Sequence, residues 1–177
     1  HKEVMRMYND NQKLPNEEEM SMIFNKLVNK SQMVAFAEGY GARAIDNYGA
    51  RGYYLVGYDK WFRHSLYNLG FDVKKLDLDN AADFEGTDIL LLTDINEPLS
   101  ANALANIYSY IDRGGDLYIL SNYKRGQYLE PVLNYVGAKY YGGLVVQENQ
   151  YISPIYLPVY FTEAAIETSF IYKNVAD

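Results

Sequence analysis

The sequence contains no cysteine and only two histidines, His1 and His64, which excludes several kinds of chemistry. Without cysteine there can be no disulfide, no thiolate ligand for zinc and no cysteine nucleophile. Two histidines are too few to make an imidazole-based transition-metal site a reasonable prediction. Because disulfides are the usual sequence marker of an oxidising compartment, their absence also leaves the compartment open.

Long apolar runs and clustered positive charge are also missing. No stretch of about 18 apolar residues occurs, so no segment is predicted to span a membrane. The net charge is -7 and the 16 Lys and Arg residues are scattered. Because binding to nucleic-acid phosphates requires clustered positive charge, we predict no nucleic-acid partner. The chain begins without a methionine, and we expect an anchoring segment to lie outside the sequence.

The composition is that of a globular domain with an excess of tyrosine. The 177 residues are 49% hydrophobic, which is enough for one domain with a buried core. Tyrosine occurs 19 times, against seven phenylalanines and one tryptophan. A tyrosine has an apolar ring and a polar tip, so we expect these residues at the margins of the core and the sheet. The alternative is a stacking surface for a partner or a sugar.

Short apolar segments alternate with amphipathic ones, which predicts an α/β fold. We place four strands at Met33–Ala37, Phe71–Leu76, Ile89–Leu92 and Asp116–Leu120. Helices between strands favour a parallel sheet with right-handed crossovers. We expect the first and third strands to be adjacent, with the second outside the first. This order predicts a flavodoxin-like three-layer sandwich with a mostly parallel sheet, and ligands bind such folds at the switch point between strands one and three.

The first two predicted helices begin at residues that can cap them. Asn16 and Glu19 form a capping-box pattern. The predicted inner face of this helix is Met20, Ile23, Phe24 and Leu27. Asp59 is predicted to cap the second helix. The predicted inner face of the second helix is Phe62, Ser65, Leu66 and Leu69.

Two further helices are predicted in the second half of the chain. Ser100 caps a helix that ends at Gly114, and Glu130 begins a short one with Pro131 at its first position. Its inward residues are predicted to be Val132, Leu133 and Val136. We divide the chain into an N-terminal arm and helix over 1–30, an α/β domain over 31–146, and a C-terminal extension over 147–177. The extension is expected to pack on the same domain or to belong to a truncated one.

Residues 38–58 contain five glycines and fit no helix, and long loops of this kind are usually functional or mobile. Polar side chains follow the first, third and fourth strands, and the carboxyl ends of parallel strands meet at one edge of a sheet. We therefore expect the loops 38–57, 94–99 and 121–127 to contact a partner protein or a small solute. The candidate binding residues are Glu38, Tyr40, Arg43, Arg51, Tyr54, Asp94, Asn96, Asn122 and Arg125.

The sequence does not predict a catalytic site. Hydrolases of this architecture carry a nucleophile on a strained strand-to-helix turn, backed by a histidine. Residues 93–98 show no such turn, Ser121 has no histidine near it in sequence, and His64 is expected on a helix surface. We predict no nucleotide cofactor, because the Gly39-Tyr-Gly41 pattern lacks the third glycine of a dinucleotide fingerprint and no phosphate-binding P-loop occurs.

The arrangement of motifs resembles a known family between about Met33 and Val146. The shared motifs are a Gly-x-Gly-x-Arg loop at 39–43, Arg-Gly-Tyr at 51–53, Gly-Phe-Asp-Val at 70–73, Pro-Leu-Ser at 98–100 and Ile-Asp-Arg-Gly-Gly at 111–115. They look like the extracytoplasmic domain of GldG-like, gliding-motility-type ABC transporter auxiliary proteins.

The resemblance implies a non-catalytic domain on the outer (periplasmic) face of the cytoplasmic membrane. The parent protein would work with an ABC-2 type permease and an ATPase through transmembrane segments missing from this sequence. The fold implied is that of class I glutamine amidotransferases without their catalytic triad. The family loop commonly reads Gly-His-Gly-Glu-Arg, so Tyr40 and Ala42 depart from it while Arg43 is kept. We expect Arg43 to pair with Asp46 or Glu38, or else to contact a ligand.

Two other functions remain open. A carbohydrate-binding module is suggested by five tyrosines in one loop, namely Tyr40, Tyr48, Tyr53, Tyr54 and Tyr58. It requires their rings to be exposed and roughly coplanar. A residual hydrolase or amidotransferase would use Asp94 or Glu38.

Overall fold

Four parallel strands form one sheet in the computed structural model of the chain, which describes residues 3–8, 14–143, 145–148, 153 and 163. The strands are β1 (Met33–Glu38), β2 (Asp72–Asp77), β3 (Ile89–Thr93) and β4 (Asp116–Leu120). Their order in the sheet is β2-β1-β3-β4. The predicted flavodoxin-like α/β fold and its switch point between β1 and β3 are therefore confirmed.

Within residues 14–143, four α-helices accompany the sheet. They are α1 (Glu17–Val28), α2 (Tyr54–Gly57), α3 (Ala101–Asp112) and α4 (Glu130–Tyr135), with short 3-10 helices at Ala81–Phe84 and Gly126–Leu129. The predicted cap of α3 is confirmed, because the Ser100 side chain accepts a hydrogen bond from the Ala103 amide. α4 begins where Pro131 predicts it, with Val132 buried, but Val136 is exposed and the inward position predicted for it is wrong.

The side chains of β1 alternate between two apolar clusters, as those of a central strand should. Ala35 and Ala37 belong to the larger cluster, which α3 and α4 cover. Val34 and Phe36 face the other way and pack with the buried Ile45. On that second side, the partly buried residues that lie outside the strands are Tyr53, Tyr58, Leu66 and Phe71. All four come from the 45–71 segment, in which the only helix is α2 with its four residues. One face of the sheet is therefore covered mainly by loops and turns.

The helix predicted after Asp59 does not form, and residues 59–70 run as a series of turns. The buried side-chain amide of Asn68 donates hydrogen bonds to the carbonyl oxygens of Asp59, Lys60 and Phe62, at 3.2, 3.1 and 2.8 Å. These carbonyl oxygens accept hydrogen bonds from a side chain, so they do not need the backbone amides that a helix would supply. The helix-surface position predicted for His64 is wrong for the same reason, although its side chain is exposed.

The capping box at the start of α1 is confirmed, but the predicted inner face of α1 is wrong. Met20, Phe24 and Leu27 are exposed. The buried residue is Glu19, whose carboxylate forms an ion pair with the buried guanidinium of Arg63. A polar contact with the 59–70 turns thus decides which side of α1 faces inward.

The chain divides into two compact units, His1–Gly142 and Gly143–Asp177. The sheet and the four helices lie in the first unit. Most of the C-terminal extension over 147–177, predicted to pack on the same domain or to belong to a truncated one, lies outside the described residues. Within the described ranges, no helix combines the length and the apolar character that a membrane span needs.

We predict that Glu19→Gln lowers the free energy of unfolding by about 3 kcal/mol, because it removes one charge of a buried ion pair. Glutamine can still accept the hydrogen bond of the capping box, so the start of α1 is preserved. Urea denaturation of the two proteins measures the difference.

The matched control is Glu18→Gln, since Glu18 is exposed on the same turn of the helix. It should change the free energy by less than about 0.5 kcal/mol. Equal losses in the two variants would show that the Glu19–Arg63 pair does not stabilise the fold.

Candidate functional site

The candidate site lies where β1, β3 and β4 end, beside the switch point of the sheet. Its central residue is Asp94, which directly follows β3 and is 5% exposed. Its backbone has a positive φ of 41°, a conformation uncommon for residues other than glycine. The Asp94 amide donates to the carbonyl oxygen of Leu120 at 2.7 Å, which places it beside the end of β4. A strained residue thus occupies the carboxyl edge of the central strands.

Three arginines donate hydrogen bonds to one carboxylate oxygen, Oδ2 of Asp94. Arg43 Nε lies 3.3 Å from it, Arg51 Nη1 3.3 Å and Arg125 Nη1 3.2 Å. The other oxygen, Oδ1, is buried and has no hydrogen-bond partner among the described residues. Three guanidinium cations against one carboxylate give a net charge of +2, that is, three minus one. We call these four residues the Asp94 cluster.

The Asp94 cluster also fixes the loop that follows β1. Arg51 Nη2 donates to the carbonyl oxygen of Gly41 at 2.6 Å, and Arg43 Nη1 donates to that of Ala50 at 2.9 Å. Arg125 comes from the segment after β4, and its hydrogen bond among the described residues is the one to Asp94. Arg43 and Arg51 therefore donate hydrogen bonds both to Asp94 and to carbonyl oxygens of the loop. Among the described residues, Arg125 donates to Asp94 alone.

An open pocket of about 230 Å³ lies beside the cluster. Its lining residues are Arg43, Tyr53, Asp94, Leu120, Ser121 and Asn122. The ring of Tyr53 lies below Arg43, with the guanidinium carbon 5.8 Å from the ring centre. Burial raises the pKa of the Tyr53 hydroxyl above its ordinary value, so Tyr53 stays neutral. The pocket lining thus combines the guanidinium of Arg43 and the carboxylate of Asp94 with neutral polar groups, and the whole Asp94 cluster beside it carries a charge of +2.

A second pocket at the same edge of the sheet has the opposite charge. Its lining residues are Glu38, Gly39, Tyr40, Asp77, Asp79 and Glu97. The Tyr40 hydroxyl donates to Asp79 Oδ2 at 2.5 Å, and the Ser100 hydroxyl donates to the other oxygen of Asp79. These hydrogen bonds, that of Ser100 first, hold the pKa of the Asp79 carboxyl below its ordinary value. Among the described residues, no group of three or more acidic or histidine side chains could hold a metal ion.

The structure brings four of the nine predicted binding residues together in the Asp94 cluster: Arg43, Arg51, Asp94 and Arg125. Asn122 lines the pocket beside them. Asn96 is separate, since its amide donates to the Tyr40 carbonyl and its side chain lies where a Cβ of Gly41 would be. Tyr40 and Glu38 line the acidic pocket.

The partner predicted for Arg43 is wrong. Lys75 takes both expected carboxylates, at 2.9 Å from Glu38 and 2.6 Å from Asp46, and these bonds raise the pKa of its ammonium group. Arg43 therefore pairs with Asp94, which is distant in sequence. The sequence also contains no pattern that predicts the positive φ of Asp94, which is a property of the folded backbone.

The five loop tyrosines do not form one exposed platform. Tyr48 is 73% exposed and its ring stacks on that of Tyr54, with centres 3.8 Å apart. The hydrogen bond between them raises the pKa of Tyr48 to about 12. Tyr53 and Tyr58 pack on the core, and Tyr40 bonds to Asp79. This geometry gives the carbohydrate-binding alternative no support.

Comparison of the chain with protein-family models, with curated proteins and with solved structures finds no match. Its function is therefore inferred from the fold and from the geometry of this edge.

We predict that Asp79→Asn lowers the stability of the protein at neutral pH and that the loss disappears in acid. A carboxyl whose folded-state pKa is lowered contributes stability above its unfolded value, about 3.8, and loses that contribution as the pH falls through the folded value. Urea midpoints of the two proteins, measured from about pH 7 to about pH 2, should converge below about pH 3.8.

Asp72→Asn is the control, because Asp72 is exposed and starts β2 away from this network. Its midpoint should follow that of the unmodified protein throughout. A constant gap between Asp79→Asn and the unmodified protein down to the acid end would contradict the assignment.

Proposed function

We propose that the chain is a non-catalytic binding domain of an ABC transporter auxiliary protein, located on the extracytoplasmic face of the cytoplasmic membrane. Its binding surface is the carboxyl edge of the sheet, with the Asp94 cluster at the centre. The permease and the ATPase would be its partners in the assembly, and a small solute or a partner segment would occupy the edge.

The observation that supports binding most directly is the partial exposure of the three clustered arginines. Their side chains are 31%, 40% and 33% exposed, for Arg43, Arg51 and Arg125, whereas the Asp94 side chain is 8% exposed. Neighbouring side chains often cover structural ion pairs of this kind, but here Arg43 lines an open pocket and the other two guanidinium groups are partly exposed beside it. They are positioned by Asp94 and remain accessible to a ligand, as preorganised binding groups should be.

The absence of catalysis is supported by the hydrogen bonds of the polar groups at the edge. Asp94 directly follows β3 and has a positive φ, but its Oδ2 accepts from three arginines and its Oδ1 is buried. The Ser121 hydroxyl donates to the carbonyl of Asn122. The ring of His64 packs edge-on against Phe62. Among the described residues, therefore, no hydroxyl is seen paired with an imidazole base.

The transporter setting is supported by the resemblance of residues 33–146 to GldG-like domains. The fold agrees with that resemblance, since it has the doubly wound α/β arrangement. Because many functions occur on this arrangement, the fold by itself does not choose among them.

The proposed extracytoplasmic location can be tested with the full-length protein in its own cells. If the domain faces outward, protease added to intact spheroplasts should digest it. A cytoplasmic protein in the same sample is the control and should resist digestion. The tagged protein, solubilised from membranes, should also copurify with an ABC-2 type permease and an ATPase identified by mass spectrometry. Resistance to protease until the spheroplasts are lysed would overturn the location.

The positive φ of Asp94 is the one observation that favours the alternative of a residual hydrolase, since nucleophiles of such enzymes stand on strained turns. We expect no turnover when the chain is profiled against ester, amide and phosphoester substrates. Turnover that is lost in Asp94→Asn and kept in Asp72→Asn would establish the hydrolase and overturn the non-catalytic assignment.

A further inference from the structure

We propose that the Asp94 cluster binds a phosphate group, either as free phosphate or as a phosphomonoester. This inference rests on the proposed binding function and specifies its ligand. It follows from three features of the cluster: its free donors, its charge and the size of the pocket beside it.

The first feature is the number of guanidinium donors that the protein leaves unused. Arg125 uses Nη1 for Asp94, and its Nε and Nη2 groups have no hydrogen-bond partner among the described residues. Arg43 uses Nε and Nη1, so its Nη2 group has none either. Each guanidinium is planar and can present two parallel N–H groups to an oxyanion. Asp94 holds these planes at fixed positions, which reduces the entropy that a ligand would lose on ordering them.

The second feature is the match between the charge of the cluster and that of a phosphate. A phosphomonoester carries about -1.5 to -2 charges near neutral pH. The cluster carries +2, so a phosphate would neutralise it, whereas a monocarboxylate would leave one positive charge unpaired. Asp94 does not repel the ligand strongly, because its Oδ2 is surrounded by guanidinium groups and its Oδ1 is buried.

The third feature is the pocket itself. Its volume of about 230 Å³ accommodates a phosphate and a small attached group. Ser121 and Asn122 line it beside Arg43, and the side-chain amide of Asn122 has N–H groups that can donate to phosphate oxygens. The pocket is open on one side, so a phosphate attached to a larger molecule can also enter.

Isothermal titration calorimetry of the chain with inorganic phosphate and with glycerol 3-phosphate tests the inference. Acetate serves as the monoanion, and sodium chloride keeps the ionic strength constant because cationic sites are sensitive to salt. We expect at least one of the two phosphates to bind about tenfold more tightly than acetate. Binding of glycerol 3-phosphate alone identifies an ester as the ligand, and stronger binding of inorganic phosphate identifies the free anion.

Arg125→Gln is the variant to test, because it removes a guanidinium that makes no hydrogen bond to the loop after β1. We expect it to weaken phosphate binding about tenfold. Lys124→Gln removes the same charge from the adjacent residue, which is exposed and outside the cluster, and should weaken binding less than about twofold. Arg125→Lys keeps the charge but loses the planar fork, and its affinity should fall between those of the unmodified protein and Arg125→Gln.

The melting midpoint and the circular dichroism of each variant establish that it is folded before it is titrated. Equal affinities for phosphate and acetate, or an equal loss in Lys124→Gln and Arg125→Gln, would overturn the phosphate site. If phosphate does not bind but the full-length protein still copurifies with the permease and the ATPase, the ligand class is wrong and the proposed function stands. Failure of both experiments would overturn both.

Discussion

One carboxylate oxygen organises the carboxyl edge of the sheet. Asp94 Oδ2 accepts hydrogen bonds from arginines in two separate segments, the loop after β1 and the turn after β4. Two of these arginines also hold carbonyl oxygens of the loop, so its conformation is tied to the residue that ends β3. Without the negative charge of Asp94, the three partly buried guanidinium groups would repel one another. The cost of the positive φ at Asp94 is offset by the contacts that this conformation permits.

A second polar centre, formed by Asn68, Arg63 and Glu19, explains how one face of the sheet is covered without a long helix. Asn68 satisfies three carbonyl oxygens of the 59–62 turn, and the buried Arg63 carries the ion pair with Glu19 that orients α1. Turns satisfied by side chains can follow the twist of the sheet more closely than a straight helix. This arrangement also makes the face sensitive to single substitutions. Replacement of Asn68 would leave three carbonyl oxygens without their hydrogen-bond donor at once.

The sequence predicted the regular parts of the fold better than the polar ones. Continuous apolar runs such as Ile89–Leu92, and caps such as Ser100, are local signals, and the strand order follows from general rules of α/β folds. The 59–70 turns depend on Asn68, whose contacts lie six to nine residues away and have no periodic signature. The sequence could predict four of the candidate binding residues from their positions after strands, namely Arg43, Arg51, Asp94 and Arg125. Their convergence on Oδ2 of Asp94 depends on the positive φ of that residue, which no sequence pattern predicts.

The opposite charges of the two edge pockets have a kinetic consequence. A carboxylate-lined pocket lies at the same sheet edge as the Asp94 cluster, and the whole chain carries a net charge of -7. Beyond a Debye length of about 8 Å the positive charge of the cluster is largely screened, and the net negative charge of the chain does not attract an anion. Electrostatic steering is therefore not expected to accelerate the association of an anion with this edge. High affinity for an anion at this edge would therefore have to come from slow dissociation.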